Sequence, residues 1–461
     1  MKIPHFPNID EFLKDDKGVK TFQSFLQIHK DVQKETGLRL FLKKSHESYC
    51  PWDKFSNLSL PKTDYSHEIL WVYMKMFMRS SAKQVKHVVD IEGKPFAFSL
   101  TDAILKNLHF IDMHLSDNLV FKHTSVDEDQ KEEWLKKRVI SSLIDEAITS
   151  SQIEGAATTR KQAKAMIKSG KKPKTHDEKM ILNNYRAIRL ITEDLKNEAL
   201  SVDLIKKIHS VLANGLLEDP DEIGEFRHDD KEEDKVKVWD DDTILFIPPN
   251  YKEIEQRITD LCAFANDDQE FYHPVIKAII LHFMIGYIHP FVDGNGRTAR
   301  GLFYWYLVRN GYRLFEYVSI SEVIKKSIGQ YKRAYLYTEK DGGDLTYFIY
   351  YHLGVILKCV ETLEQYIQKK IIEHDTLKKR IRQQEGISLR QIDLLNHAIR
   401  HKDAVYTIKG HLNSNKISWA TARSDLLNLV KKDFLTQHKS GKELYFLVSD
   451  QIEDLLMESS D

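Results

Sequence analysis

Residues 274–287 form an almost wholly apolar run that opens on Pro274. A helix that is apolar all round is stable only where every side is covered, so this segment belongs at the centre of the fold. Directly after it stands His289-Pro290-Phe291-Val292-Asp293-Gly294-Asn295-Gly296-Arg297-Thr298-Ala299-Arg300, and a second helix is expected over residues 298–310, closed by Gly311. A buried helix, a glycine-rich turn and another helix fix the middle of the chain. With 19 Gly and 11 Pro in 461 residues, long helices are favoured over a turn-rich β fold around it.

Elsewhere the periodicity points the same way. From Glu132, Leu135, Val139, Leu143 and Ala147 recur every four residues beside Ile140, Ile144 and Ile148, which predicts a helix ending near Gly155. Helical patterns follow over 178–196, 201–214 and 251–265, and a long charged helix over 355–384. The first 125 residues carry amphipathic stretches at 70–77 and 100–115 and a loop at Tyr49-Cys50-Pro51-Trp52; they read as helical and offer no chemistry. The exception is 236–249. There Val236-Lys237-Val238-Trp239 and Ile244-Leu245-Phe246-Ile247, separated by Asp240-Asp241-Asp242 and stopped by Pro248-Pro249, predict a β-hairpin.

Charge and cysteine content exclude several classes. Lys+Arg (68) and Asp+Glu (69) leave a net charge of −1, so no global field draws this chain to nucleic acid or a membrane surface. Cys50, Cys262 and Cys359 lie far apart, against a disulfide scaffold or a zinc ribbon. No run of about 18 apolar residues occurs and the N-terminus lacks a signal-peptide core. The expectation is a cytoplasmic protein with no membrane contact.

The segment 289–300 suggests phosphate chemistry from its components alone. Gly294 and Gly296, flanking Asn295, let backbone N–H groups converge on an anion at a helix N-terminus whose dipole favours negative charge. Arg297 and Arg300 stand on the first turn, where they can clamp a polyphosphate. Asp293 is a hard oxygen donor suited to Mg²⁺ bridging phosphate oxygens. His289, at the end of the central helix, titrates near neutrality, as a general base should. An EF-hand from Asp293 would need Gly and Glu where Thr298 and Tyr304 stand, and no GxxxxGK[ST] loop occurs.

These twelve residues match in full the HPFxDGNGRxxR signature, and the chain is identified as resembling Fic-domain proteins, over roughly residues 130–355. The resemblance implies a mainly α fold, a Fic-type helical bundle with a small β-hairpin flap, and transfer of AMP from Mg-ATP to a Ser, Thr or Tyr hydroxyl of a target protein or of the chain itself, with ATP as substrate and Mg²⁺ as cofactor. It implies that His289 deprotonates the hydroxyl and that Asp293 holds the metal. Gly294, Asn295, Gly296, Arg297, Thr298, Ala299 and Arg300 would bind nucleotide, with Phe291 packing the loop. Gly224 and Arg227 followed by the hairpin resemble the family's flap, which aligns a target segment by strand addition through Val238, Trp239, Phe246 and Ile247. Tyr331 resembles the adenine-side tyrosine. Here the chain departs from the common pattern: Lys332 follows it and no asparagine precedes Gly343-Asp344. Removal of AMP, or transfer of another phosphate-containing group, stays open on the same site.

Upstream, Ser150-Ser151-Gln152-Ile153-Glu154-Gly155 taken alone is a polar helix end. Ahead of a full Fic signature it resembles the inhibitory (S/T)xxxE(G/N) motif. Ser150 and Glu154 share a helical face, and the resemblance implies that Glu154 pairs with Arg300 in place of the γ-phosphate. Residues 387–448 carry helices over 389–400, 408–413 and 418–430 and a hairpin like the wing of a winged helix-turn-helix. Ten Lys/Arg against five Asp/Glu make this stretch locally basic. Contact with protein or a second copy of the chain is the preferred use, with DNA as the alternative and a DNA-binding regulator as the rival function. The expected organisation is a mainly helical region over 1–125, a Fic domain over 126–355 (inhibitory helix near 132–155, flap near 236–249), a helical linker over 356–386 and a winged-helix-like domain over 387–461.

Overall fold

The computed structural model describes residues 3, 5–7, 22–115, 128–228, 236–240, 243–440 and 443–458. The hairpin-turn residues Asp241 and Asp242, and Gly441 and Lys442 of the expected wing, lie outside them. The chain divides into two compact units, Met1–Val120 with Leu135–Leu363 and Phe121–Trp134 with Glu364–Asp461.

In the first unit, α1 (Phe22–Lys34), α2 (Thr36–Glu47), α3 (Trp52–Phe55) and α4 (His67–Ser80) come first. They gather around Leu38, Phe55, Leu70, Trp71 and Met74, together with Tyr337 and Tyr347 from much later in the chain. Ser66 caps α4, its side chain accepting the Ile69 N–H at 3.3 Å. A hairpin of β1 (Lys83–Val89) and β2 (Pro95–Phe98) follows, then α5 (Asp102–Leu115). This hairpin was not expected. It locks onto the unit's centre: Phe96 packs edge-on against Phe283 and Tyr287, and Ala97 forms a parallel bridge with Asp344. The N-terminal elements are thus one packed body with the helices behind the signature.

Those helices are α6 (Glu128–Ile153), α7 (Arg160–Ser169), α8 (His176–Arg189, continued as one π turn over Leu190–Asp194), α9 (Val202–Ala213), the hairpin β3 (Val238–Asp240) and β4 (Thr243–Phe246), α10 (Ile254–Asn266), α11 (Pro274–Ile288), α12 (Asn295–Arg309), α13 (Ile320–Lys326), α14 (Ile328–Lys340) and α15 (Thr346–Gln383). Thr175 and Glu178 form a full capping box at the start of α8. As the apolar run requires, α11 is buried on every face, and α12 packs along it, itself buried from Arg297 to Val308. The second helix starts at Asn295 rather than 298. Gly294 takes the N-cap in the left-handed region (φ +83°), so the second half of the signature lies inside the helix.

Burial of polar groups is matched by partners. The carboxylate of Glu146, in α6, accepts from Tyr304 (2.9 Å), Ser319 (2.7 Å) and both the N–H (3.0 Å) and the hydroxyl (2.5 Å) of Ser321. Lys75 is fully buried between Asp341, at 2.7 Å, and Asp344.

The second unit contains α16 (Leu389–Arg400), β5 (Val405–Thr407), α17 (Ile408–Asn415), α18 (Trp419–Lys431), β6 (Leu435–Ser440), β7 (Glu443–Val448) and α19 (Ile452–Glu458). Its sheet runs β5-β7-β6, antiparallel throughout. Ser418 caps α18, accepting the Thr421 N–H at 3.1 Å. The core is built from Leu395, Ala398, Ala422, Leu426, Leu429 and Phe446.

Candidate active site

His289 ends α11 in the left-handed conformation, φ 52° and ψ 57°, unusual for a side chain with a Cβ. Backbone strain of this kind persists only where neighbours hold it, and Arg227 supplies the hold. Its Nε donates to the His289 carbonyl at 2.8 Å, its own N–H donates to the Pro290 carbonyl at 2.9 Å, and its Nη2 donates to the Pro249 carbonyl at 2.6 Å. One guanidinium therefore joins the signature loop to the end of the β3–β4 hairpin. The imidazole Nδ1 lies 3.2 Å from the Gly286 carbonyl. That bond assigns the proton to Nδ1 and leaves Nε2 as the acceptor. Burial, reinforced by Arg227, lowers the imidazole pKa below its ordinary value.

The loop itself is braced from inside. Asn295 accepts the Phe291 N–H at 2.9 Å and donates to the Phe291 carbonyl at 2.8 Å, while Thr298 donates to the Gly294 carbonyl at 2.9 Å. Phe291 is fully buried and stacks on His209 with ring centroids 3.7 Å apart and planes 3° from parallel. His209 donates from Nε2 to the Asp293 carbonyl at 2.9 Å and accepts the Gly224 N–H at Nδ1, 3.1 Å away. Burial pushes its pKa down to about 4. A Cβ on Gly294 would sit 3.3 Å from this ring, so the position combines a positive φ with close approach. His209 was missed in the sequence, where a lone histidine in the amphipathic helix 201–214 gave no signal.

The two arginines part company. Arg297 is buried and pairs with Asp293 Oδ2 at 2.8 Å, one turn back, and its Nη1 reaches the Leu212 carbonyl at 3.4 Å. Arg300, also buried, donates from Nε to the Ser150 hydroxyl (2.8 Å), and from Nη2 to the Ser150 carbonyl (3.1 Å) and to Glu154 Oε1 (2.8 Å). Ser150 and Glu154, at the end of α6, thus both reach Arg300, the partner that the resemblance implied for Glu154. Thr298 and Ala299 are wholly buried, Thr298 spending its hydroxyl within the loop. Tyr331 is buried with its hydroxyl 2.9 Å from His282 Nε2, in the interior behind Arg300.

The hairpin over the site is short. Val238 pairs with Phe246 and Asp240 with Thr243, and the Phe246 ring rests on Tyr287 at 4.9 Å. Trp239 and Ile247 are exposed. For a metal, Asp293 offers a half-exposed carboxylate whose Oδ1 takes the Gly294 N–H at 2.6 Å and whose Oδ2 takes Arg297. Among the described residues no group of three His, Cys, Asp or Glu converges. The donor set fits an ion that draws most of its ligands from phosphate oxygens and water, as Mg²⁺ does, and fits no all-protein cage.

Comparison with known proteins agrees with this geometry. Residues 199–307 match the Fic/DOC family. It is similar to a protein adenylyltransferase Fic of Nematostella vectensis (30% identical over 191 residues, 39% of this chain and 40% of that one) and to one of Aedes aegypti (31% over 186 residues, 39% and 34%). The chain thus spans well under half the length of these curated relatives. Among solved structures, a Fic family protein from Desulfovibrio desulfuricans has the same fold, with TM-score 0.51 and 18% identity over 76% of this chain and 97% of that one. No helix among the described residues is long and apolar enough to cross a membrane.

Proposed function

We propose that this chain is a protein adenylyltransferase that moves AMP from ATP to a Ser, Thr or Tyr hydroxyl of a target protein, and that Glu154 restrains it. The observation that carries the reading is the pairing of a general base with a restrained anion site: His289 keeps an unprotonated Nε2, and Arg300, across the loop, is held by Glu154 at 2.8 Å. In the transfer, His289 Nε2 takes the proton of the target hydroxyl while its oxygen bonds to the α-phosphorus. The bond from that phosphorus to the α–β bridging oxygen breaks, and pyrophosphate leaves. Arg300, once free of Glu154, and the N-terminal N–H groups of α12 receive the charge of the departing phosphates. Asp293 would hold Mg²⁺, which when bound neutralises phosphate charge. Glu154 pairs with Arg300 where the γ-phosphate would otherwise go, so ATP binds with its α-phosphate out of line. The relatives' names support the reaction class.

The test is a labelling assay with α-³²P-ATP and Mg²⁺ in cell lysate, comparing wild type, Glu154→Gly and Glu154→Gly with His289→Ala. Label confined to Glu154→Gly supports base, restraint and reaction together. Blank lanes throughout remove the transfer reading.

For the second unit we propose a winged helix used for protein contact. The support is the order of three helices and a β5-β7-β6 sheet, with Trp419 more than half exposed at the start of α18. An exposed indole suits a protein interface better than a phosphate backbone. Salt-sensitive, sequence-selective gel shifts would overturn this in favour of DNA.

A further inference from the structure

Beside the β3–β4 hairpin lies a cavity of about 800 Å³, walled by Ile91, Phe96, Phe246 and Tyr287 and reached by the carboxyl groups of Asp90 and Glu339. Glu339 Oε2 is buried and has no hydrogen-bond partner. An orphaned buried carboxyl oxygen costs stability and calls for a partner that the described residues do not provide. The other charges on the wall are already answered. Asp341 is held by Lys75 at 2.7 Å and by Arg79 at 3.4 Å, and Glu92 pairs with Lys94 at 2.9 Å. Lys340 is exposed and follows Glu339 directly in α14; its charge pulls the Glu339 pKa down against the larger effect of burial, but it makes no hydrogen bond to Oε2.

Position gives the cavity a meaning, resting on the adenylyltransferase reading above. Phe246 and Ile247 of the hairpin form part of its wall, and so does Tyr287, two residues ahead of His289 on α11. A target strand laid along β4 rises about 3.3 Å per residue, so a side chain a few positions from the modified hydroxyl hangs over the opening. We propose that this cavity is a specificity pocket for a Lys or Arg side chain of the target protein, its aliphatic stem against Phe96, Phe246 and Tyr287 and its charged end on Glu339 and Asp90. A mixed wall of this kind suits a side chain with an apolar stem and a cationic tip. Burial pushes Glu339 up to about 8, so it waits largely protonated and gives up that proton when a cation arrives.

The probe is a degenerate library of ten-residue peptides, each with a central Ser, Thr or Tyr, offered with α-³²P-ATP to the full chain carrying Glu154→Gly. The expected result is selection for Lys or Arg at one position within four residues of the modified hydroxyl, about tenfold over the library mean. Glu339→Gln, the neutral isostere of the acid already present, should erase that selection, so that peptides carrying Lys or Arg at the selected position fall to the library mean. Asp90→Asn, which keeps the oxygen that accepts the Glu92 and Lys94 N–H groups at 2.8 Å each, should weaken it. No basic selection, or equal selection in Glu339→Gln, overturns the pocket. A library left unlabelled by a chain that labels itself does so too. A chain that labels nothing, itself included, instead overturns the adenylyltransferase reading.

Discussion

Glu154 and Gly296 share a space that admits only one side chain: a Cβ built on Gly296 would lie 3.0 Å from Glu154 Cδ and 3.2 Å from Arg300 Nη1. The glutamate therefore lies directly over the first turn of α12, at the helix end whose dipole favours an anion. Removing it leaves Arg300 with both contacts to Ser150 and an open face. Glu154→Gly should raise AMP transfer by about tenfold or more, and Glu154→Gln, which keeps the shape and loses the charge, should fall between. Equal rates for all three proteins in the α-³²P-ATP assay would refute the restraint.

Arg227 carries the backbone geometry at His289. Arg227→Gln loses the bonds to the His289 and Pro249 carbonyls and keeps the backbone bond to Pro290. In a Glu154→Gly background this should lower kcat by about a hundredfold, as misplacement by about an ångström does. A stability loss of roughly 1–3 kcal/mol should accompany it. An unchanged kcat would mean that the left-handed turn at His289 holds itself.

The pH profile should follow the lowered pKa of His289. The imidazole is neutral, and so competent as a base, at pH 7 and above. kcat/KM for Glu154→Gly should be flat from neutrality upward and fall only on the acid side of 6.5, the unperturbed value. A midpoint at or above 6.5 would count against His289 as the buried base.

Stability should fall in acid through His209. Its folded pKa of about 4 lies below the ordinary 6.5, so the unfolded chain binds the proton more tightly. Its stabilising effect is complete above pH 6.5 and is lost as pH drops toward 4. Between pH 7 and 5 this one residue removes about 2 kcal/mol. Urea unfolding at the two pH values should show that slope, and His209→Gln should flatten it. Identical slopes would assign the acid sensitivity to other buried imidazoles.

Much of this was readable in advance because it is local. An apolar run of helix length specifies a buried helix, and α11 is one; Ser150 and Glu154 share a face because four residues make about one turn. The rest depends on partners far along the chain. The β1–β2 hairpin escaped notice because Lys83–Val89 buries only Val85 and Val88, with charged and polar residues between, so neither a strand nor a helix period stands out. Glu146 and His209 look like polar-face residues until Ser319, Ser321, Gly224 and Asp293 arrive from elsewhere. Arg297 reads as a phosphate clamp from spacing, yet it spends a bond on Asp293 one turn behind it.

The clamp on Glu146 limits how the proposed restraint by Glu154 can be released. Its carboxylate is tied to Tyr304, Ser319 and Ser321 eight residues before Glu154, about 12 Å down the same helix. The rod bearing the restraint is thus pinned near its tip and cannot slide or swing as a whole without breaking a buried, fully satisfied carboxylate. Release has to happen beyond Ser151, by turning one side chain or unwinding a single turn. Any trigger that lifts the proposed restraint therefore needs only a small footprint, with the helix below it as a fixed anchor.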